Sequence, residues 1–174
     1  MIKIVTVNNA GSRLIAEVAK DLGIVFRMPV VIDASVIPDK SGYDGNKGQY
    51  PAQRLIESLK KISAGTESRT IGITDLDLSY PGLNFIFGLA DEESLTAVVS
   101  TARFGAGEAK NRLIERTIKT AIHELGHTFG LSHCRNNKCV MFFSYNLRDT
   151  DYKEKDFCRR CRKIIEGKLL SEGS

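Results

Sequence analysis

His123-Glu124-Leu125-Gly126-His127-Thr128-Phe129-Gly130-Leu131-Ser132-His133 is the stretch on which the reading of this 174-residue chain turns. On a helix, residues four apart lie one above the other on the same face. His123 and His127 therefore offer two imidazoles to a single ion, at about 2.0–2.1 Å from each nitrogen for zinc. Glu124 stands one step round the helix, off that face. It suits a base that takes a proton from water bound to the metal. Gly130 comes one turn after His127, where a left-handed residue ends a helix cheaply. The chain can then turn back and bring His133 to the same ion. Three nitrogen ligands leave the fourth tetrahedral position open, which is the catalytic arrangement and not the closed structural one. The competing reading is a helix end with three capping or exposed histidines. Against it, the long pattern H-E-x-x-H-x-x-G-x-x-H is complete and contains the chain's only three histidines.

Composition sets the frame around this motif. The length predicts one domain, with a cleft dividing it into two lobes. Apolar residues make up 42% of the chain, enough for a core and far from a disordered composition. No stretch approaches the roughly 20 apolar residues of a membrane span. The opening Met1-Ile2-Lys3-Ile4-Val5-Thr6-Val7 reads as a strand and lacks the apolar run of a secretory signal, so a cytoplasmic location is expected. The net charge of +4 is mild. The basic residues near the end (Arg159, Arg160, Arg162, Lys163, Lys168) read as a solvated helix face, and no nucleic-acid partner is expected.

Before the histidine motif, the pattern alternates strands with helices. Residues 2–8 read as a first strand and 11–22 as an amphipathic helix stopped by Gly23. Residues 24–32 follow as a second strand, parallel to the first through a right-handed crossover. Pro29 marks that strand as an edge or a bulge. Residues 34–50 read as a surface loop; they carry neither the calcium-loop glutamate nor the phosphate-loop Ser or Thr. Residues 52–62 are a second helix and 71–74 a third strand. Two further strands, 84–90 and 95–101, are separated only by Asp91 to Ser94 and predict a hairpin with one antiparallel member at a sheet edge. Such an edge beside the metal is able to take up an extended peptide as an added strand. Gly105-Ala106-Gly107 reads as the loop before a helix of about 108–129, with Ala109, Leu113, Thr117, Ala121, Leu125 and Phe129 along one apolar side. Lys110, Arg112, Glu115, Arg116 and Lys119 are expected on its other faces.

The four cysteines all lie just past this helix. Cys134 and Cys139 are spaced C-x4-C, then after an interval Cys158 and Cys161 are spaced C-x2-C. The pattern resembles paired chelating knuckles around one closed tetrahedral zinc. Two disulfides are the rival reading, which the absence of a secretory signal disfavours. A structural ion suits a C-terminal lobe too small to build much core. It would also fix the path Cys139-Val140-Met141 beneath the histidines.

The long histidine motif followed by Met141 resembles the metzincin metalloproteases. Cys134 directly after the third histidine, Cys139-Val140-Met141 and the later Cys158 and Cys161 narrow the resemblance to the archaemetzincins. Gly48-Gln49-Tyr50 and Asn84-Phe85-Ile86-Phe87-Gly88 also look like that family's N-terminal half. The resemblance implies an α/β (α+β) fold: a twisted, mixed five-stranded sheet with backing helices above the cleft, and a small zinc-stabilised helical lobe below. Residues 1–130 would form the upper lobe with the active-site helix, and 131–174 the lower lobe. It implies that His123, His127 and His133 bind a catalytic zinc, that Glu124 is general base and acid, and that Met141 forms the Met-turn under the ion. Cys134, Cys139, Cys158 and Cys161 would hold a second, structural zinc. The stretch from Met141 to Cys158 is one residue shorter than the family pattern. Phe143 stands where some metzincins carry a tyrosine ligand, so none is assigned.

The expected function is therefore a zinc metallopeptidase acting on a peptide or protein. The alternative is a zinc-stabilised interaction protein whose peptidase site is vestigial or gated. Intact Glu124 and His133 weigh against it, because a silent site has no evident need for the base.

Overall fold

The β-branched opening of the chain forms β1 (Ile2–Val7), as expected. This computed structural model describes residues 1–105 and 110–172. β1 is followed by α1 (Ser12–Phe26), and β2 (Val30–Val36) returns parallel to β1. Gly23 does not stop the helix, and residues 24–26 are its last turn and not a strand. Burial of Val25 and Phe26 outweighs the roughly 1 kcal/mol that an internal glycine costs a helix. The helix ends instead at Arg27, which takes a left-handed conformation (φ 55°) just before Met28-Pro29. β2 is nevertheless an edge strand with a register shift opposite Ile4–Thr6, as Pro29 signalled.

β3 (Tyr50–Pro51) leads into α2 (Ala52–Ser63) and β4 (Arg69–Thr74). β5 (Leu78–Tyr80), β6 (Leu83–Ile86), β7 (Gly88–Asp91) and β8 (Thr96–Ser100) complete the strands. The five-stranded sheet has the order β2-β1-β4-β8-β7, parallel except for β7, which pairs antiparallel to β8. The expected hairpin and its edge position are both present. The stretch 84–90, expected as one strand, is in fact two. It switches sheets at Phe87, because β6 pairs with β5 in a second sheet of order β3-β5-β6.

Side chains alternate across the main sheet as a two-sided strand requires. Ile4, Ile71, Ile73 and Val99 face a large core shared with α1 and α3 (Lys110–Thr128). Val5, Val7 and Val98 face α2. The expectations for residues 106–109 lie outside the described residues.

After α3 the chain forms two short helical segments, α4 (Leu147–Tyr152) and α5 (Arg159–Glu172). α4 adds to the reading of α3: Arg116 and Lys119, expected on faces other than the apolar one, are each 3% exposed. Arg116 donates from Nε and Nη2 to the Asp151 carboxylate, both at 2.7 Å, and from Nη1 to the Phe104 carbonyl at 2.8 Å. Lys119 donates to the Asp151 carbonyl at 3.0 Å and pairs with Glu115 at 2.7 Å. The charges are tolerated because α4 supplies their partners. Among the described residues, no helix is long and apolar enough to cross a membrane.

Candidate metal centre and active-site cleft

α3 carries His123 and His127 on consecutive turns at its buried end. Gly130, with φ 78°, closes the helix, and the Leu131 amide donates back to the Gly126 carbonyl at 3.1 Å. That reversal brings His133 over the other two: its ring centroid lies 5.2 Å from that of His123 and 4.8 Å from that of His127. One ligand nitrogen from each of the three lies within 4.8 Å of the others.

The hydrogen bonds decide what these nitrogens can hold. His123 Nδ1 lies 2.8 Å from the Val140 carbonyl, and His127 Nδ1 2.7 Å from the Leu131 carbonyl. A carbonyl only accepts, so each Nδ1 carries the proton and each neutral Nε2 is left with a bare lone pair. Those two Nε2 atoms face each other at 3.2 Å. Burial, foremost, holds both histidines below their ordinary pKa, helped by the charge of Lys153 at His123 and by His133 and then Lys153 at His127, so protons are poor company for these lone pairs. A divalent cation between them satisfies both, and fixing Nδ1 orients the rings for it. The donor set fits zinc.

Glu124 lies on the same helix turn, buried, and burial pushes its pKa up to about 8 against the opposing charge of Lys153. A Cβ placed on Gly88 would fall 2.6 Å from Glu124 Cγ and Oε1, so the bare backbone of edge strand β7 abuts this carboxyl. Met141 is fully buried beneath the helix, where its Sδ would stand 2.4 Å from a Cβ on Gly126. Phe143, at the position considered for a tyrosine ligand, sets its ring against His133 with centroids 4.9 Å apart.

The four cysteines form a second cluster. Their sulfurs lie within 4.8 Å of one another, and all four are free thiols. Burial opposes ionisation of Cys158. Hydrogen bonds from the Cys161 backbone and neighbouring thiols overcome it and bring its pKa down to about 7. Burial raises Cys139 and Cys161. The clusters share a strap: Cys139 belongs to the thiols, Val140 accepts from His123, and Met141 sits below the helix. The Cys134 amide donates to the Met141 carbonyl at 2.9 Å and closes the strap on itself.

The sequence model of peptidase family M54 matches residues 11–167. The chain belongs to this family. It is 44% identical over 131 residues to the archaemetzincin of Methanopyrus kandleri, a match covering 75% of this chain and 74% of that one. The crystal structure of the Methanopyrus kandleri archaemetzincin superposes with a TM-score of 0.87 at 32% identity, covering 98% of this chain and 96% of the other. A zinc-dependent peptidase from Methanocorpusculum labreanum superposes at 0.86 with 29% identity, covering 95% and 100%. As an M54 member with an intact histidine triad, the chain is a zinc metallopeptidase.

This M54 site includes residues that sequence reasoning did not single out. Gly88 and Gly126 are required by the close approaches just described, and a glycine inside a helix interior is the signal that could have pointed to Gly126. Lys153 is 3% exposed and lines the cleft beside His123 and Glu124. Burial brings its pKa down to about 8. Nothing in its own polar stretch distinguishes it from a surface lysine, because its burial depends on how α4 and the strap close over it.

Proposed function

We propose that the chain hydrolyses peptide bonds at a zinc ion held by His123, His127 and His133, with Glu124 as general base and then general acid. The observation that carries the reading is the pair of bare Nε2 lone pairs 3.2 Å apart, oriented by carbonyls, next to a buried carboxyl. Zinc on these nitrogens supplies Lewis acidity, lowering the pKa of its water and polarising a carbonyl.

Glu124 takes the proton of the attacking water and passes it to the leaving amine. Its burial supports this role: a carboxylate kept out of bulk water is a stronger base than an exposed one. β7 offers its outer edge to the substrate backbone, and Gly88 lets that edge run directly against Glu124. Met141 and the Phe143 ring limit how His133 and the helix end can shift.

The four thiols are proposed to hold a second zinc, closed and structural, which keeps the strap 139–141 under the catalytic site. The unit comprises an upper part to residue 130 and a lower part from 131, working as one peptidase on peptide or protein substrates. The test is incubation of zinc-loaded protein with a diverse peptide mixture, mapping new termini by mass spectrometry beside Glu124→Ala. New termini made by the wild type alone are expected; equal cleavage by Glu124→Ala would remove the glutamate from the mechanism.

A further inference from the structure

A cavity of about 280 Å³ opens beside Glu124, between the β6–β7 segment and residues 143–153. Most of its wall is apolar, from Leu83, Phe85, Ile86, Phe87 and Phe143. Polar groups also line it, Glu124, Tyr145 and Thr150 among them, and two others, Lys153 and Ser144, have donors to spare. Lys153 brings a buried ammonium with three donors, of which the Phe142 carbonyl takes one at 3.2 Å. Among the described residues no carboxylate forms an ion pair with it, although Glu124 shares the cavity and acts on it electrostatically. The second is Ser144, whose hydroxyl is buried and has no hydrogen-bond partner. A buried cation with no carboxylate in ion-pair contact and a buried hydroxyl without a partner both cost free energy that a bound acceptor would recover. An apolar cavity with a few convergent polar groups is the form a ligand pocket takes.

We propose that this cavity receives a carboxylate of the substrate, with Lys153 and Ser144 as its donors, so that the enzyme prefers a bond flanked by Asp or Glu. The inference rests on the peptidase reading above and specifies its substrate class. Lys153 acts here as a specificity residue: it binds the substrate side chain and leaves the water and the scissile carbonyl to the zinc site. A neutral Gln of the same shape as Glu can take the hydroxyl's hydrogen bond but leaves the ammonium unpaired, and that difference creates the selectivity.

The experiment uses zinc-loaded full-length protein, wild type and Lys153→Met, with a peptide mixture whose new termini are mapped. In the wild type, acidic residues are expected to be enriched at one position flanking the cleaved bonds. Matched Glu and Gln peptides should then differ in kcat/KM by about tenfold or more. In Lys153→Met the Glu-to-Gln ratio should fall towards one, a change that a purely structural lysine would not produce. Enrichment within peptides identifies the side-chain carboxylate; release of C-terminal residues alone identifies the chain terminus as its source. Cleavage by the wild type with no acidic enrichment and no terminal preference overturns the proposal and leaves the peptidase reading intact. If no peptide is cleaved, the peptidase reading is what fails. The pocket is then tested by calorimetric titration of two hydroxamates, the monohydroxamate of glutaric acid and the hydroxamate of valeric acid. The acid should bind the wild type about tenfold more tightly, and equal affinities overturn the proposal. Should Lys153→Met fail to fold, the wild-type comparison of the two hydroxamates decides alone.

Discussion

Two glycines set the tolerances of this site. At Gly126 a Cβ would stand 2.4 Å from Met141 Sδ and 3.3 Å from the Phe157 ring, in a fully packed region. Gly126→Ala should therefore lower stability by about 1–3 kcal/mol, the usual cost of an inserted methyl in a tight core. A urea melt showing wild-type stability would mean that the strap is loose. Gly88 is tight against a functional group and not against the core. Gly88→Ala should cut turnover by displacing Glu124 while zinc content, measured by elemental analysis, stays at the wild-type level. Loss of the metal together with turnover would show that Gly88 supports the histidines instead. For Glu124 itself, replacement by Gln should leave metal content unchanged and reduce turnover by roughly 10²–10⁴-fold.

At the scale of elements, the join between α3 and α4 is the point of leverage. Arg116, buried on α3, is held by the Asp151 carboxylate on α4, and α4 leads directly to Lys153. The Arg116 guanidinium is foremost in holding the Asp151 pKa below its ordinary 3.8. A depressed folded pKa contributes stability that is complete above the ordinary value and lost as pH falls through the folded one. Wild type should therefore be more stable than Asp151→Asn near neutral pH, with the gap closing only below about pH 4. Thermal melts of both proteins from pH 7 to pH 3 measure it. A gap independent of pH would show that the contact works through shape and not charge.

For the whole molecule, the proposal of two separate zinc sites joined by one strap predicts unequal consequences of losing them. His133→Ala removes an exposed ligand from the cleft and should release one zinc with little change in melting temperature. Cys161→Ala removes a buried ligand from the lower part and should release the other, with a fall of roughly 10 °C or more. Equal losses of metal and of stability in both variants would argue for one cooperative site. Because Val140 links the thiol cluster to His123, Cys161→Ala should also weaken the catalytic ion, whereas His133→Ala should not disturb the thiols.

The two clusters of candidate metal ligands were legible in the sequence because their geometry is local. A four-residue helical spacing fixes two imidazoles on one face, a left-handed glycine fixes the reversal, and paired cysteine spacings fix two knuckles. The crossover, the hairpin and the edge strand were legible from β-branched runs and short connections. Other features were not. The end of α1 depends on whether Val25 and Phe26 find a core, which outweighs the glycine at 23. The split of 84–90 between two sheets depends on β5 being there to pair with β6. The burial of Arg116, Lys119 and Lys153 depends on where α4 lands, and no local pattern encodes the arrival of a partner from 30 residues away in the chain. Local spacing was enough to mark which side chains gather as candidate metal ligands, since the histidines follow one helix and its closing turn and the cysteines come in two close pairs. Which charges lie buried beside them emerges from the packing of separate elements, because burial is not a property of any one residue.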